Sequence, residues 1–396
     1  MEPLKSSSNS KSLETDCPTL NQLKACQFSS WYPKFRSLNC SSDASKQYPH
    51  NNVTIRSIII SPLPLNFIEY LKSDGVILPK DAEKVSSFLP SDTQEDCWSS
   101  DEENDEEADE EQNSCDEIHF PELNQQIQNA LDTLGPCMPK LNWSAPKDVT
   151  WLNEATMKCG TIGDVYLLVK SSDFILFDLE HALDDIEVDS ETEVRETTLE
   201  YELILRKWSN LHASMEFRCF VSKHALVAIC QRNHTQHYPH LKREHMEIRA
   251  HIVEFFDTYI KENYAEGTVE DYVFDIYMDK NERIWLIDFN LWSARTDALM
   301  FPWEELIKIS KDASCNQIEA TDTNGDDDDI ISIENVLPEM RVVMDENEVH
   351  YNPLASYRAP IDTVDLASDQ AGSNSFKDFM AMCAKPSDIT GGNESE

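Results

Sequence analysis

Glycine is scarce in this chain. Only 9 of the 396 residues are glycine, and they form neither a Gly-x-Gly-x-x-Gly pattern nor a Walker A loop. Both patterns depend on glycine, because the backbone must approach or wrap a phosphate group closely. Their absence argues against a Rossmann nucleotide site and against a P-loop. Any phosphate site in this chain must therefore rely on Lys and Arg side chains.

Paired cysteines and long apolar runs are also lacking. The 11 cysteines are scattered, odd in number and without Cys-x-x-Cys spacing, which argues against structural zinc and a disulfide framework. The first thirty residues contain no apolar core typical of a signal peptide, and runs such as residues 58–60 are too short to span a bilayer. We therefore expect a cytoplasmic protein.

Positive charge is the third shortage. The chain has 33 Lys and Arg against 74 Asp and Glu, a formal net charge of −41. A chain this acidic repels nucleic acids and anionic membranes, so we predict neither as a partner.

The acidic residues are concentrated, which divides the chain into segments. Residues 92–117 hold fourteen acidic residues and no Lys or Arg, and like-charge blocks of this kind are disordered and solvated. The predicted organisation is a disordered tail at 1–24, the first part of the body at 25–90, an acidic disordered loop at 91–118, the core at 119–310, an acidic linker at 311–340, a further segment at 341–368 and a disordered tail at 369–396.

Hydrophobic periodicity predicts a mixture of helices and short strands. Apolar residues at three- and four-residue spacing over 120–134 favour an amphipathic helix that ends at Gly135. The other predicted helices cover residues 65–71, 241–264 and 303–309, and the predicted strands cover residues 54–60, 166–170, 200–208, 215–221 and 225–231.

Residues 271–290 are the most informative stretch. Two β-branched and aromatic runs flank a polar turn at 279–282, which predicts a β-hairpin. Asp275 interrupts the first run, and Asp288 and Asn290 interrupt the second. Carboxylates within apolar strands are costly unless they are paired or bound to a cation. Two carboxylates and an amide oxygen on paired strands suit a hard metal such as Mg²⁺.

Cationic side chains precede this hairpin in apolar surroundings. They are Lys140 and Lys147 in the stretch 138–148, Lys170, Arg206 and Lys207 beside Trp208, Arg218, and Arg232. Several cations upstream of an Asp…Asp-x-Asn hairpin suit a metal–nucleoside triphosphate, with the cations on the phosphates and the acids on the metal. The alternative is a metal-free network in which Asp275 and Asp288 pair with Arg206 or Arg218.

Several longer motifs resemble the D123 family, also called the cell division cycle protein 123 family. They include Lys-Leu-Asn-Trp-Ser-Ala-Pro from Lys140, Trp-Leu-Ile-Asp-Phe-Asn from Trp285 and Gln-Phe-Ser-Ser-Trp-Tyr-Pro from Gln27. Matching stretches cover most of residues 26–366, outside the acidic insert.

The resemblance implies an α+β, ATP-grasp-like fold of two lobes with mainly antiparallel sheets and a nucleotide between them. By motif, the nucleotide-site residues would be Lys140, Trp143, Ala145, Lys147, Arg206, Lys207, Trp208, Arg218 and Arg232. Asp275, Asp288 and Asn290 would also contact the nucleotide as ligands of its metal. The implied cofactors are ATP and Mg²⁺.

The implied function is assembly of eukaryotic translation initiation factor two. The chain would act as a chaperone, a monomer outside the client complex, that binds the gamma subunit and promotes its joining to the alpha subunit. In doing so it would support translation initiation and cell-cycle progression. Residues 341–368 would help to grip the gamma subunit. Two alternatives stay open: an ATP-grasp ligase that acts through an acyl-phosphate, and a metal-free scaffold.

Overall fold

The computed structural model describes residues 17–38, 52–82, 118–187, 199–319 and 337–351. Its helices are α1 (Leu20–Cys26), α2 (Phe28–Ser37), α3 (Leu65–Lys72), α4 (Pro121–Leu134), α5 (Ile162–Ser171), α6 (Asp173–His181), α7 (Pro239–Phe255) and α8 (Trp303–Glu319). Its strands are β1 (Ser57–Ile60), β2 (Cys137–Leu141), β3 (Leu203–Lys207), β4 (Glu216–Ser222), β5 (Ala225–Gln231), β6 (Tyr272–Met278), β7 (Ile284–Leu291) and β8 (Glu339–Arg341).

The chain divides into two compact units. The first unit comprises Met1–Ile55, Leu183–Leu199 and Ser209–Asn352, and the second comprises Arg56–Ala182, Glu200–Trp208 and Pro353–Glu396. The predicted α+β class with mainly antiparallel sheets is confirmed.

The first unit is built on a five-stranded sheet in the order β7-β6-β4-β5-β8. All neighbouring strands are antiparallel except β5 and β8, which are parallel. One face carries Phe217, Cys219, Phe274 and Phe289, which are fully or almost fully buried. Segments on the other face include Ala298, Phe301 and Trp303, which pack with Phe220 and Val273.

The second unit has a three-stranded antiparallel sheet in the order β1-β3-β2. Helices α3, α4 and α5 contribute Phe67, Ile127 and Tyr166 to a core that also contains Leu203 and Leu205 of the central strand. Helix α4 ends where predicted, because Gly135 adopts a φ of 73°, which residues with a Cβ avoid.

Several predicted boundaries need correction. Helix α1 begins at Leu20, within the segment predicted to be a disordered tail, because Thr19 and Gln22 form a capping box. Residues 166–170, predicted as a strand, are part of helix α5. Helix α8 extends to Glu319, and β8 lies at 339–341, so both occupy parts of the predicted acidic linker.

Other predicted segments lie outside the described residues. They are residues 1–16, most of the acidic loop at 91–118, residues 320–336 of the linker, and residues 352–396. Within the described part of the chain, we find no helix that is long and apolar enough to cross a bilayer.

Candidate functional site

The predicted hairpin is confirmed as strands β6 and β7. The carboxylate of Asp279 organises its turn, since Oδ1 accepts hydrogen bonds from the backbone amides of Asn281 at 2.8 Å and Arg283 at 3.1 Å. The other oxygen accepts the indole N–H of Trp285 at 3.2 Å. An Asp that binds the backbone in this way favours a tight turn, which fixes the register of the two strands.

A β-bulge interrupts the hairpin next to the predicted metal ligands. Ile276 pairs with Leu286 and Asp275 pairs with Asp288, so the register of the two strands shifts by one residue at Ile287. Directly paired residues share a face of the sheet, and consecutive residues of a regular strand lie on opposite faces. Leu286 therefore lies on the face of Ile276, whereas Asp288 lies on the opposite face with Asp275.

The structure brings four polar residues of the first unit onto one face of the sheet. Arg218 of β4 pairs with Asp275 of β6, which pairs with Asp288 of β7, and Asn290 follows two residues later on the same strand. Like charges directly opposite each other destabilise a sheet. The facing carboxylates of Asp275 and Asp288 therefore need compensating positive charge.

Asp275 receives much of that charge from Arg218. The guanidinium donates from Nε to Oδ1 and from Nη2 to Oδ2, both at 2.8 Å, and from Nη1 to the carbonyl oxygen of Asp297 at 2.5 Å. Burial alone lowers the pKa of Arg218, but the charge and hydrogen bonds of Asp275 outweigh it and raise the pKa above its ordinary value. This bidentate geometry is the strong form of a charge-assisted hydrogen bond.

Arg232 adds a second guanidinium. Its Nε lies 3.2 Å from Oδ2 of Asp275, and its Nη1 lies 3.2 Å from a carboxylate oxygen of Glu216. The amide nitrogen of Asn290 is 3.5 Å from the same Oδ2 of Asp275. Counting Asp288, two guanidiniums face three carboxylates, so this group of residues, called here the carboxylate cluster, carries one net negative charge. Glu216 was not predicted, because its role depends on the register of β4 and β5.

An aromatic layer supports the cluster from the opposite face of the sheet. Phe289 lies between Asp288 and Asn290 in sequence and is almost fully buried. Its ring stacks on Tyr264 at a centroid distance of 3.9 Å and contacts Trp31 at 5.4 Å and Phe35 at 5.5 Å. Helix α2, which contains the Ser-Ser-Trp-Tyr-Pro motif, therefore holds β7 in place from behind.

The donor chemistry of the carboxylate cluster fits Mg²⁺. Asp288 and Asn290 are half-buried and supply hard oxygen ligands next to Asp275. Within the described ranges, no three His, Cys, Asp or Glu side chains are placed to enclose a metal ion. A metal here would therefore have few protein ligands and would complete its shell with water or phosphate oxygens, as Mg²⁺ commonly does.

The remaining predicted residues lie in the second unit. Lys140 pairs with Ile204 and Met138 pairs with Arg206, so strand alternation places Lys140 and Arg206 on one face of the small sheet. Lys207 is exposed at the end of β3, and its alternation places it on the other face. Trp143 and Ala145 follow β2 in a loop, Lys147 begins a 3₁₀ turn after it, and Trp208 follows β3.

Three further side chains shape that loop, here called the β2 loop. Asn142 donates to the carbonyl oxygen of Glu200 and accepts from the amide of Glu202, both at 2.9 Å. Asp178 of α6 accepts the amide of Ser144 at 2.8 Å, and Asp148 accepts the hydroxyl of Ser172 at 2.7 Å. The buried Lys140 donates to the carbonyl oxygen of Trp143 at 2.6 Å. Sequence reasoning missed Asp178, because nothing along the chain links it to a loop more than thirty residues earlier.

Lys170 does not belong to the site as the sequence suggested. Its ammonium group lies at the C-terminal end of helix α3 and donates to the carbonyl oxygens of Tyr70 at 2.5 Å and Leu71 at 3.3 Å, and also to that of Ser73. Burial lowers the pKa of Lys170 to about 8, with Asp74 acting in the opposite direction. This lysine caps a helix and is not a phosphate ligand.

The comparisons with known proteins decide the family. The model of the D123 family matches residues 46–367, which is most of the chain. The chain belongs to the D123 family. The predicted family is thereby confirmed, and the match includes every predicted site residue.

Relatives and a solved structure agree with this assignment. The chain is 36% identical over 364 residues to the "Translation initiation factor eIF2 assembly protein" of Xenopus tropicalis, covering 91% of this chain and 96% of that protein. It is 34% identical over 338 residues to "Cell division cycle protein 123" of Phaeosphaeria nodorum, covering 78% and 86%. The solved structure of C-terminally truncated Cdc123 from Schizosaccharomyces pombe is 31% identical, with a TM-score of 0.55, and covers 82% of this D123 chain and 97% of that one.

Proposed function

We propose that this chain is an assembly factor for eukaryotic translation initiation factor two. It binds the gamma subunit and promotes its joining to the alpha subunit, acts in the cytoplasm, and thereby supports translation initiation and cell-cycle progression. The observation that carries this proposal is the match over nearly the full length of relatives named eIF2 assembly proteins. A shared domain alone would not span 96% of a relative.

The second part of the proposal is that the chain binds ATP with Mg²⁺, and that the carboxylate cluster holds the metal. Asp288 and Asn290 would be ligands, with Asp275 beside them. A metal held there would supply positive charge opposite the facing carboxylates and would favour binding of phosphate oxygens. Arg218 and Arg232 orient Asp275 through three hydrogen-bonded ion contacts of 2.8–3.2 Å. Their positive charge would also favour binding of the polyphosphate.

Copurification with the gamma subunit tests the assembly role. The full chain and a variant with residues 357–366 replaced by a Gly-Ser segment of equal length are expressed with tagged gamma subunit. A matched control replaces residues 371–380 in the same way. We expect the wild type and the control to copurify with the gamma subunit. We expect the 357–366 variant to be recovered with it in a smaller amount. Equal recovery of all three would contradict the predicted grip at 341–368, and recovery of none would contradict the assembly role.

One observation favours a metal-free scaffold as the second candidate. Both oxygens of Asp275 already accept hydrogen bonds from guanidinium groups, which is the arrangement of a structural ion-pair network. In that case the cluster would stabilise the sheet, and the chain would assemble its client without nucleotide.

Calorimetry with matched charge variants separates the two candidates. Asp288→Asn removes one charge at the cluster, whereas Glu282→Gln removes one charge from the same hairpin, where the side chain is 69% exposed. We expect Asp288→Asn to weaken Mg²⁺–ATP binding by more than about 100-fold, the upper end of the loss caused by removing an outer-shell partner. Glu282→Gln should bind as the wild type does. Equal measurable affinities in all three proteins would overturn the metal assignment, and a wild type that does not bind Mg²⁺–ATP would favour the scaffold.

A further inference from the structure

Residues 337–351 form an extended segment along the edge of the sheet of the first unit, called here the strap. Its strand β8 pairs with β5. Arg341 anchors it to helix α8 through two hydrogen bonds to the carboxylate of Glu305, one of them at 2.9 Å from Nη1. The same guanidinium lies over the ring of Phe301 at 4.1 Å and donates to the carbonyl oxygen of Met300 at 3.2 Å.

A second anchor lies at the end of β5. The side-chain oxygen of Gln231 accepts the backbone amide of Val343 at 3.1 Å, and both residues are fully buried. Further along the strap, the amide of His350 donates to the carbonyl oxygen of His234 at 3.1 Å, and the two imidazole rings meet edge to face at 5.3 Å. His234 is therefore a buried contact of the strap.

Arg232 lies in sequence between Gln231 and His234, which both contact the strap. Gln231 pairs with Phe217, on the core face of the sheet. Arg232 follows it and extends to the other face, where it contacts Asp275 and Glu216. Two consecutive residues thus connect the strap on one side with the carboxylate cluster on the other.

Gln231 also shapes the backbone around Arg232. Its amide nitrogen donates to the carbonyl oxygens of Asn233 at 2.5 Å and Gln236 at 2.8 Å, so a single buried side chain fixes the turn after β5 and the strap together. Replacing its amide leaves buried polar groups without partners, which is costly. A displacement of the Arg232 backbone would therefore act on a side chain that also holds Val343.

We propose that Gln231 couples occupation of the carboxylate cluster to the position of the strap. When Mg²⁺ and a nucleotide bind, the charge opposite Asp275 changes, Arg232 shifts its balance between Asp275 and Glu216, and Gln231 transmits that shift to Val343. This inference rests on the proposed function, since it names the regulation of the same site. Coupling of this kind is reciprocal, so a loosened strap must change nucleotide affinity by the same factor.

Amide hydrogen exchange of the full chain at Val343 and His350 tests the coupling, with calorimetry of Mg²⁺–ATP on the same samples. In the wild type we expect Mg²⁺–ATP to change exchange at Val343 by about fivefold, the low end of measured couplings between sites. Gln231→Leu should abolish that response and weaken Mg²⁺–ATP binding by a similar factor. The control Arg341→Met loosens the other anchor, so its strap should exchange faster but still respond to nucleotide.

A measurement without nucleotide keeps the test independent of whether the Gln231→Leu variant folds. Arg232→Met should raise exchange at Val343 by about fivefold or more without any ligand. Binding of Mg²⁺–ATP to the wild type with unchanged exchange at Val343 would overturn the coupling and leave the proposed function standing. Failure of the wild type to bind Mg²⁺–ATP would overturn both the coupling and the proposed nucleotide site. Unaltered amide exchange at Val343 in the Arg232→Met variant would overturn the coupling but not the proposed function.

Discussion

Asp275 shows what a single residue contributes to this site. It is 2% exposed and lies within a strand of apolar neighbours, so its charge is tolerable only because two guanidinium groups hold it. Burying a charge without a partner costs far more than a matched pair contributes. Removing one partner of the pair therefore reports its contribution to stability better than the number of its hydrogen bonds does.

We expect Arg218→Met to destabilise the first unit by about 3 kcal/mol, the low end for removing one partner of a buried ion pair, since Arg232 still contacts Asp275. The double variant Arg218→Met, Asp275→Asn should be more stable than the sum of the single effects by about 2 kcal/mol. Exchange protection of the β4 and β6 amides measures these changes. Arg243→Met, at a side chain that is 76% exposed, is the control and should change little. Additive single effects would contradict the buried pair.

For single residues of the site, the sequence predicts which residue types take part better than it predicts which side chains contact each other. Asp275, Asp288 and Asn290 stand out because polar side chains interrupt apolar runs, and Arg218 was already one of two possible partners of Asp275. Arg232 and Glu216 could not be paired from sequence, because their contact depends on the register between β4 and β5. Distances between side-chain atoms are needed to decide whether these carboxylates form ion pairs or bind a metal.

Helix α5 shows why elements were harder to predict than residues. Residues 165–169 form an apolar run in a helix that is buried nearly throughout. Such a short apolar run has no periodicity that distinguishes helix from strand. The capping box of Thr161 and Asp164 was the available signal. The hairpin, in contrast, had strand-forming residues and a polar turn, which together made its prediction secure.

Lys170 ties two elements together, because it lies in the last turn of α5 and caps the C-terminus of α3. We expect Lys170→Met to lower the stability of the second unit by about 1–3 kcal/mol, since buried carbonyl oxygens lose their donor. Amide exchange in α3 and α5 measures the loss. Lys72→Met, an exposed lysine of the same helix α3, serves as control. Mg²⁺–ATP affinity should stay at the wild-type value, and a large loss of affinity would return Lys170 to the phosphate site.

For the whole molecule, the division into two units agrees with the two lobes that the family resemblance implies, and each unit has its own sheet and core. Exact boundaries could not be predicted, because within the described residues the chain passes between the units at 55–56, 182–183, 199–200 and 208–209, where the sequence shows no change in composition. The acidic insert was predicted from composition, and it lies outside the described residues.

Ligand binding should stabilise the molecule by mass action. At 100 times the dissociation constant, Mg²⁺–ATP should raise the free energy of unfolding of the first unit by about 2.7 kcal/mol. Removing the metal with EDTA at constant ATP should abolish most of that gain, because the phosphates then face the negatively charged cluster alone. Amide exchange of β6 and β7 provides the measurement. A gain that survives EDTA would show that nucleotide binds without the carboxylates.

The register shift in β7 has a consequence for how this hairpin tolerates change in length. Because consecutive residues of β6 pair with Leu286 and Asp288, strand β7 contains one residue more than the register requires. Deleting Ile287 would leave a regular strand, and all the remaining side chains of β7 would stay on the faces that they occupy now. Deleting Phe289 would instead turn Asn290 towards the aromatic layer. Natural or designed variants can therefore lose a residue at position 287 and keep their polar face, whereas the same loss two residues later would place an amide in the core.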